Sequence, residues 1–373
     1  MGFVTYGLDR SLSGIGRYTL ELIKAMKTIH PNLDITLLCA GKADSLLLMN
    51  EYEHVSLPGA RLLPSLVTWG QVVIWQRANA LNLHLVHDPI GVVPLQLANC
   101  LRITTIHDVI PYIYPETSTT LDWLIYRFWL PLAVRRLDAI ITDSRQSKED
   151  ILHFLPIKEK NVTVVPLAAG EAYHPLPDGE IKRVLEKYDI RPPYILYVGA
   201  LEARKNMLGL LEAYARLRRW SEKWTLVIVG ARKWKYAPIF ETVQRLGLEP
   251  FVDFTGYVEE EDLPALYNGA DLFVFPSLYE GFGLPVLEAM ACGTPVVTSN
   301  TSSLPEVAGD AALLIDPYDI DEIVAAMRTI LEDKALAAEL RTKGLARAKE
   351  FSWERTARET IAVYEKVLGK KLI

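Results

Sequence analysis

The sequence predicts an α/β protein made of two domains, each built on a parallel sheet. Short apolar runs typical of buried parallel strands alternate with amphipathic segments of helical length along the whole chain. A chain of 373 residues is too long for one ordinary domain and suits two. A segment rich in proline and glycine at 167–179 is typical of a linker. We therefore expect an N-terminal domain at 1–170 and a C-terminal domain at 171–352.

Composition narrows the classes of function. The net charge of -6 argues against broad nucleic-acid binding, because no excess of Lys and Arg can neutralise phosphates. Cys39, Cys100 and Cys292 are far apart and lack metal-ligand spacing, so we expect buried free thiols in a reducing compartment. No apolar run reaches the roughly 18 to 20 residues of a spanning helix, and the N-terminus lacks a signal-peptide pattern. These features predict a cytoplasmic protein.

A glycine-containing loop precedes the first predicted helix. The loop at 9–16 reads DRSLSGIG, and the helix is predicted at 17–29. Gly14 and Gly16 resemble the start of a dinucleotide fingerprint, but Thr19 stands where its third glycine should be. The sequence therefore argues against a nicotinamide site.

Two apolar runs of the first domain, LHLVHDP and LRITTIHDVIP, both end in His-Asp. Because parallel strands end at one edge of a sheet, His87, Asp88, His107 and Asp108 are expected near the carboxyl edge of the first sheet. Histidine at a strand end is often a structural group with satisfied hydrogen bonds, and we interpret His87 in this way.

The helix predicted at 121–136 mixes aromatic and basic residues, LDWLIYRFWLPLAVRR. One interpretation is a core-facing helix kinked at Pro131, and this is the favoured one. The other is a helix that lies against a membrane surface at which a lipid-linked acceptor resides.

In the second domain, two cations stand between a strand and a helix. Arg204 and Lys205 follow the strand YILYVG and precede a helix predicted at 207–220. Cations complement the positive end of a helix dipole poorly, but together with it they make a favourable site for an anion.

The segment 271–297 predicts a strand, a glycine loop, a helix and a second strand in succession. Its apolar run is typical of a buried parallel strand and ends at Pro276, and the helix begins at Leu284. Such a unit places a helix N-terminus at the sheet edge where ligands of α/β proteins bind. Two carboxylates flank the turn: Glu280 precedes the glycines and Glu288 lies in the helix.

Two glutamates separated by seven residues in this setting resemble the signature of retaining glycosyltransferases of family four. The resemblance covers nearly the full chain and is most specific at 197–206 and 271–306. It implies the GT-B fold, in which two Rossmann-like domains face each other across a cleft. It also implies that a C-terminal helix at about 353–373 crosses back to the first domain. The implied activity is transfer of a hexose, with retention, from a nucleotide diphosphate sugar to a carbohydrate or lipid-linked acceptor.

The resemblance also implies roles for individual residues. Glu280 would hold hydroxyls of the donor sugar and Glu288 the ribose hydroxyls. Lys205 and Arg204 would stabilise the pyrophosphate, although Ala200 replaces an arginine that many members carry. His107 lies in IHDVIPYIYPE, which resembles the segment facing the donor sugar in mannosyl- and rhamnosyltransferase-like members. Further residues implied in donor binding are Gly14, Gly16, Tyr257, Val258, Gly281, Phe282, Gly283 and Leu284.

The same segment around His107 favours GDP-mannose over UDP-glucose or dTDP-rhamnose as donor. We expect no cofactor and no metal, since the Asp-x-Asp of Asp319 and Asp321 is explained by N-capping of the next helix. Retention without an evident nucleophile implies front-face attack assisted by the leaving phosphate.

Alternatives remain open at this point. A sugar-nucleotide epimerase can share the two-domain fold, and a donor-only assay would separate it from a transferase. A glycosidase could also use paired carboxylates, but the cation pair would then lack a purpose. An inactive nucleotide-sugar-binding partner is a third possibility, against which both glutamates and Lys205 argue.

Overall fold

The computed structural model describes residues 1–5, 14–39, 52–57, 66–91, 100–230 and 237–372. The chain divides into two compact units, Met1–Leu167 with Ser352–Ile373, and Ala168–Phe351. Each unit contains one parallel sheet, so the predicted fold class is confirmed. Residues 9–13 of the predicted glycine loop lie outside the described residues.

The sheet of the first unit has seven strands in the order β3-β2-β1-β4-β5-β6-β7, all parallel. Its central strands are buried on both faces, which explains their nearly continuous apolar sequences. The chain changes direction across the sheet between β1 and β4, so their carboxyl ends flank a topological switch point. The strands are β1 (Gly2–Thr5), β2 (Thr36–Cys39), β3 (Glu53–Ser56), β4 (Leu85–Asp88), β5 (Leu101–Thr105), β6 (Ala139–Thr142) and β7 (Val162–Val164).

Among the described residues, six α-helices of the first unit precede the linker. They are α1 (Gly14–Ile29), α2 (Gln71–Ala80), α3 (Ile110–Ile113), α4 (Thr120–Leu124), α5 (Leu130–Ala133) and α6 (Arg145–Phe154). The structure corrects the start of α1, because Gly14 and Gly16 lie in its first turn and not in a preceding loop.

The predicted helix at 121–136 is more irregular than the sequence suggests. A π turn, Ile125–Trp129, joins α4 to α5, and a 3₁₀ turn, Val134–Arg136, ends the segment. Pro131 accounts for the wide turn, because it has no N–H to donate and its ring crowds the carbonyl four residues earlier.

The sheet of the second unit has six parallel strands in the order β10-β9-β8-β11-β12-β13. Here the switch point lies between β8 and β11. The strands are β8 (Tyr194–Val198), β9 (Thr225–Val229), β10 (Val252–Gly256), β11 (Leu272–Phe275), β12 (Val296–Ser299) and β13 (Leu313–Ile315). The helices are α7 (Asp178–Lys187), α8 (Met207–Trp220), α9 (Ala237–Arg245), α10 (Leu263–Gly269), α11 (Leu284–Ala291), α12 (Leu304–Ala308), α13 (Ile320–Glu332) and α14 (Lys334–Ala348).

The last helix, α15 (Trp353–Leu368), belongs to the first unit and packs on α1. Ser352 caps its start by accepting a hydrogen bond from the Arg355 N–H at 3.1 Å. Tyr364 is fully buried, and its hydroxyl lies 2.6 Å from Nδ1 of His87. The predicted return of the C-terminal helix to the first domain is therefore confirmed.

Candidate active site

The switch point of the second sheet brings together the cations and the loop glutamate. Arg204 and Lys205 follow β8, and Glu280 follows the neighbouring strand β11. Lys205 Nζ lies 2.5 Å from Glu280 Oε1, and Arg204 Nη1 lies 3.2 Å from Glu280 Oε2. The three side chains are only 9 to 11% exposed. From the sequence we expected each of these residues near the carboxyl edge of the second sheet, but not the direct ion pairs between them.

This cluster of Arg204, Lys205 and Glu280 combines two cations with one carboxylate. Burial by itself raises the pKa of Glu280, but the charges of Lys205 and Arg204 lower it below its ordinary value. Glu280 is therefore a carboxylate at neutral pH. Arg204 also faces Glu202, at 3.4 Å. A diphosphate that enters this cluster would compete with Glu280 for the two buried cations.

Serines after β12 hold the loop that carries Glu280. The Glu280 N–H donates to Ser302 Oγ at 3.0 Å. The Ser303 hydroxyl lies 2.9 Å from the Glu280 carbonyl and 2.7 Å from the Phe282 carbonyl. Sequence reasoning gave these serines no role, although they follow an apolar strand within the segment of most specific resemblance.

Gly283 is required by its backbone conformation at the start of α11. Its φ is +113°, and an added Cβ would lie 2.8 Å from Leu304 Cδ2. Gly281, Phe282 and Gly283 are buried and Leu284 is half-buried. The glycine loop is thus a packed turn that fixes where the helix N-terminus lies.

Glu288 lies in α11 and is held by a tyrosine that the sequence did not indicate. Its Oε2 accepts a hydrogen bond from the Tyr267 hydroxyl at 2.9 Å, and both side chains are buried. Burial and the charge of Glu288 raise the pKa of Tyr267, so its hydroxyl stays protonated. Tyr267 therefore orients the Glu288 carboxylate.

The loop after β10 contains the two residues expected near the nucleotide base. Tyr257 is exposed and Val258 is buried. The Glu259 N–H donates to the Tyr188 hydroxyl at 3.2 Å, and Tyr188 donates to Asp262 at 2.8 Å. These bonds tie the loop to the end of α7.

In the first unit, His107 follows β5 and is anchored on two sides. Its Nδ1 lies 2.6 Å from Asp143 Oδ2, and its Nε2 lies 3.1 Å from the Pro89 carbonyl oxygen. His107 lines a cavity of about 170 Å³, whose walls include Ile15 of α1 and Asp108. The first turn of α1, with Gly14 and Gly16, is thus close to His107. Asp143 was not singled out from the sequence.

His87 behaves as the structural group that the sequence suggested. It is fully buried, and its ring nitrogens lie 2.6 Å from the Tyr364 hydroxyl and 2.8 Å from Thr105 Oγ1. Burial and the nearby His107 lower the pKa of His87 to about 3. His87 is therefore neutral at physiological pH.

The acidic pair near residue 320 serves a helix terminus. Asp319 accepts hydrogen bonds from the N–H groups of Asp321 and Glu322 at 2.9 and 3.1 Å, which caps α13 as predicted. Among the described residues, no group of three or more His, Cys, Asp or Glu side chains is placed to hold a metal ion.

The structure also shows the state of the cysteines and the character of the helices in the described residues. The three cysteines are free; Cys39 and Cys292 are buried, whereas Cys100 is only half-buried. No helix in the described part of the chain combines the length and the apolar character needed to cross a membrane.

Each of the two units is an α/β fold built on a parallel sheet, and one switch point carries both a glutamate-bearing glycine loop and a cation pair. These features define a glycosyltransferase of the GT-B class. Residues 12–168 match the family model Glycosyltransferase Family 4, and residues 180–347 match Glycosyl transferases group 1. The chain belongs to this family of glycosyltransferases.

Similar proteins agree with this assignment. O-antigen chain mannosyltransferase B of Escherichia coli is 34% identical over 97% of this chain and 98% of its own length. O-antigen chain mannosyltransferase RfbU of Salmonella typhimurium is 27% identical over 87% of this chain and 88% of its own. The solved structure of sucrose-phosphate synthase from Thermosynechococcus elongatus has the same fold, with a TM-score of 0.81 and 21% identity over 99% of this chain and 98% of its own.

Proposed function

We propose that the chain is a retaining mannosyltransferase that transfers mannose from GDP-mannose to a growing surface polysaccharide or its lipid-linked precursor. The observation that carries this proposal is the cluster of Arg204, Lys205 and Glu280 at the switch point of the second sheet. The choice of mannose and of a polysaccharide acceptor is supported by two relatives named as O-antigen mannosyltransferases.

The cluster explains how the donor is held and activated. The diphosphate takes over the two cations from Glu280, and the N-terminus of α11 adds its unpaired N–H groups. As the glycosidic bond breaks, negative charge grows on the leaving phosphate. Buried, fixed cations stabilise this charge more than they stabilise the bound donor.

Glu280 gains a second partner once the diphosphate occupies the cations. Its carboxylate then accepts hydrogen bonds from hydroxyls of the donor sugar, while Glu288 accepts from the ribose hydroxyls. The acceptor hydroxyl attacks on the face from which GDP departs, and the leaving phosphate takes its proton. The new bond therefore has the configuration of the old one.

A screen of nucleotide sugars tests the donor. A ligand at about 100 times its dissociation constant adds about 2.7 kcal/mol of apparent stability. GDP-mannose should therefore raise the melting temperature more than UDP-glucose or dTDP-rhamnose at equal concentration. Equal shifts from all three would contradict the donor assignment. A donor-only incubation that yields an epimer or free sugar would favour the epimerase.

Glu288 and its tyrosine partner should control nucleotide binding. Because a hydrogen bond to a charged group contributes about 1.5 to 3 kcal/mol, Glu288→Ala should weaken GDP binding by about 10- to 150-fold. Tyr267→Phe should weaken GDP binding roughly fivefold, because the Glu288 carboxylate stays but loses the hydrogen bond that orients it. Calorimetric titration with GDP measures both variants. Glu332→Ala removes an exposed carboxylate of α13 and serves as the control; unchanged affinity in Glu288→Ala would refute the assignment.

We also propose that the protein works at the inner face of the membrane. The segment 120–136 buries Leu130, Ala133 and Val134 against the core, yet it also carries exposed apolar side chains. The aromatic-arginine surface consists of Leu121, Trp123, Leu124, Phe128 and Leu132, which are 39 to 60% exposed, with exposed Arg127, Arg135 and Arg136. The favoured interpretation, a core-facing helix, thus describes the buried face of the segment 120–136 but not its exposed face. Exposed apolar and cationic side chains side by side suit an anionic lipid surface.

Vesicle binding tests the aromatic-arginine surface. One basic residue near an anionic surface contributes about 1 kcal/mol, so three favour anionic over zwitterionic vesicles by about 150-fold. Phe128→Ser with Leu132→Ser should abolish co-sedimentation with phosphatidylglycerol vesicles. Trp220→Ser, which removes an exposed aromatic ring of the second unit, should bind as the parent does. Equal binding of the parent to phosphatidylcholine and phosphatidylglycerol vesicles would contradict the proposal.

A further inference from the structure

The partners of His107 determine its protonation state. Nδ1 lies 2.6 Å from the Asp143 carboxylate, and Nε2 lies 3.1 Å from the Pro89 carbonyl oxygen. Both partners accept hydrogen bonds. A neutral imidazole carries one N–H and would point a lone pair at one of these oxygens, whereas an imidazolium donates to both. The geometry therefore favours an imidazolium paired with the Asp143 carboxylate.

His87 provides an internal contrast in the same sheet. Both of its ring nitrogens face hydroxyl groups, those of Tyr364 and Thr105. Because a hydroxyl can donate or accept, a neutral ring is satisfied there. Two histidines near the carboxyl edge of one sheet are thus held in different protonation states by the chemistry of their partners.

The surroundings of His107 reinforce this difference. Burial alone would lower the pKa of His107, but the Asp143 carboxylate and the hydrogen bond to it, with smaller effects of Asp108 and the Pro89 carbonyl, raise it. Asp143 is itself buried and stands just before Ser144, which caps α6. Among the described residues, the titratable groups that face His107 are Asp143 after β6, Asp108 beside it, His87 on β4, Tyr18 on α1 and Tyr126 across the cavity.

We propose that Asp143 is a positioning residue that keeps His107 as an imidazolium, so that His107 meets its substrate as a fixed cation and not as a base. The backbone adds to this arrangement, because Ser147 of α6 donates to the His107 carbonyl at 3.0 Å. The assignment rests on the proposed function, in which His107 contacts a sugar hydroxyl at the cavity it lines. It adds that the ring acts there through its fixed positive charge, because Asp143 and the Pro89 carbonyl already accept from both ring N–H groups.

The Asp143→Asn variant separates the effect of Asp143 on the orientation of the His107 ring from its effect on the charge of that ring. An asparagine of the same shape can donate its amide N–H to Nδ1 while Nε2–H still reaches Pro89, so the ring keeps its place but loses the extra proton. Because a nearby carboxylate raises the pKa of a histidine, its removal should lower the titration midpoint of His107. Asp143→Glu keeps the charge and should largely retain the parent midpoint.

Nitrogen-15 NMR of the histidine rings tests the proposal without any substrate. The His107 signals are assigned by their loss in His107→Gln. In the parent at pH 7, both His107 nitrogens should be protonated, and in Asp143→Asn one should not be. Asp150→Asn changes a carboxylate of α6 that pairs with Gln146 and should leave the His107 signals unchanged. The neutral His87 signals report that each variant is folded. A neutral His107 ring in the parent at pH 7, or the same midpoint in Asp143→Asn, would overturn the proposal.

The pH profile of transfer links this state to catalysis. A group with a raised pKa is fully protonated below its ordinary pKa and loses its proton as the pH rises through the raised value. The high-pH limb of kcat/KM should therefore move to lower pH in Asp143→Asn and stay in place in Asp150→Asn. If the NMR midpoint of His107 moves while the high-pH limb of kcat/KM stays in place, the charge of His107 has no role in transfer and this part of the proposal is wrong. Absence of any transfer activity would contradict the proposed function and leave the NMR result standing.

Discussion

Replacement of Lys205 with alanine is expected to lower kcat/KM by more than about 150-fold. A charge-assisted hydrogen bond contributes about 1.5 to 3 kcal/mol, which corresponds to about 10- to 150-fold when it is equal in the ground and transition states. Lys205 should exceed this range because the leaving phosphate gains charge as the bond breaks. The buried position of the ammonium, 5.0 Å from the centre of the Phe275 ring, strengthens its effect on that charge.

Steady-state kinetics with varied donor measures this effect. Lys343→Ala is the control. Lys343 belongs to the same unit and pairs with two carboxylates, Glu339 and Asp310, but at the surface. This variant should have the kcat/KM of the parent. If kcat/KM of Lys205→Ala lies within threefold of the parent value, Lys205 has no catalytic role.

Glu280→Gln is expected to lower kcat by about 100-fold while GDP binds at least as tightly as to the parent. In the empty protein, Glu280 occupies both cations, so its neutral replacement frees them for the diphosphate. The same change removes the carboxylate that would hold the sugar hydroxyls during reaction, at a cost of about 1.5 to 3 kcal/mol. Turnover and nucleotide affinity should therefore move independently.

Titration with GDP and single-turnover kinetics test this separation. Loss of one partner from a buried ion pair typically destabilises a protein by about 3 to 5 kcal/mol, so thermal melting must confirm that the variant is folded at the assay temperature. Glu202→Gln changes a carboxylate that pairs with Arg204 at 3.4 Å and should have a smaller effect on kcat. Equal losses of GDP affinity and kcat in Glu280→Gln would contradict the assigned role.

The sequence predicts those features of the fold that depend on local pattern. The α/β class, the strand ended by Pro276 and the helix at Leu284 follow from apolar runs and turn residues close together in the chain. The start of α1 was misplaced because glycines suggest a loop, although Gly14 and Gly16 are accommodated in a helical turn. The short strand β3 was missed because its sequence, EHVS, lacks an apolar run.

The candidate site was predictable residue by residue, but its pairings were not. The pairings of Lys205 with Glu280, 75 residues apart, and of His107 with Asp143, 36 residues apart, depend on strand order. Tyr267 reaches Glu288 from another helix in the same way. Local periodicity does not report which strands are neighbours, so these contacts, and the protonation states they impose, appear only in the structure.

The most direct test of retaining mannosyl transfer is the anomeric configuration of the product. The purified protein would be incubated with GDP-α-mannose and an oligosaccharide ending in mannose, in the presence of a chelator, and the product followed by proton NMR. We expect an α-mannosyl linkage to form at an undiminished rate in the chelator. A β-linked product, transfer only from a different nucleotide sugar, or activity lost in the chelator and restored by Mg²⁺ or Mn²⁺ would contradict this account.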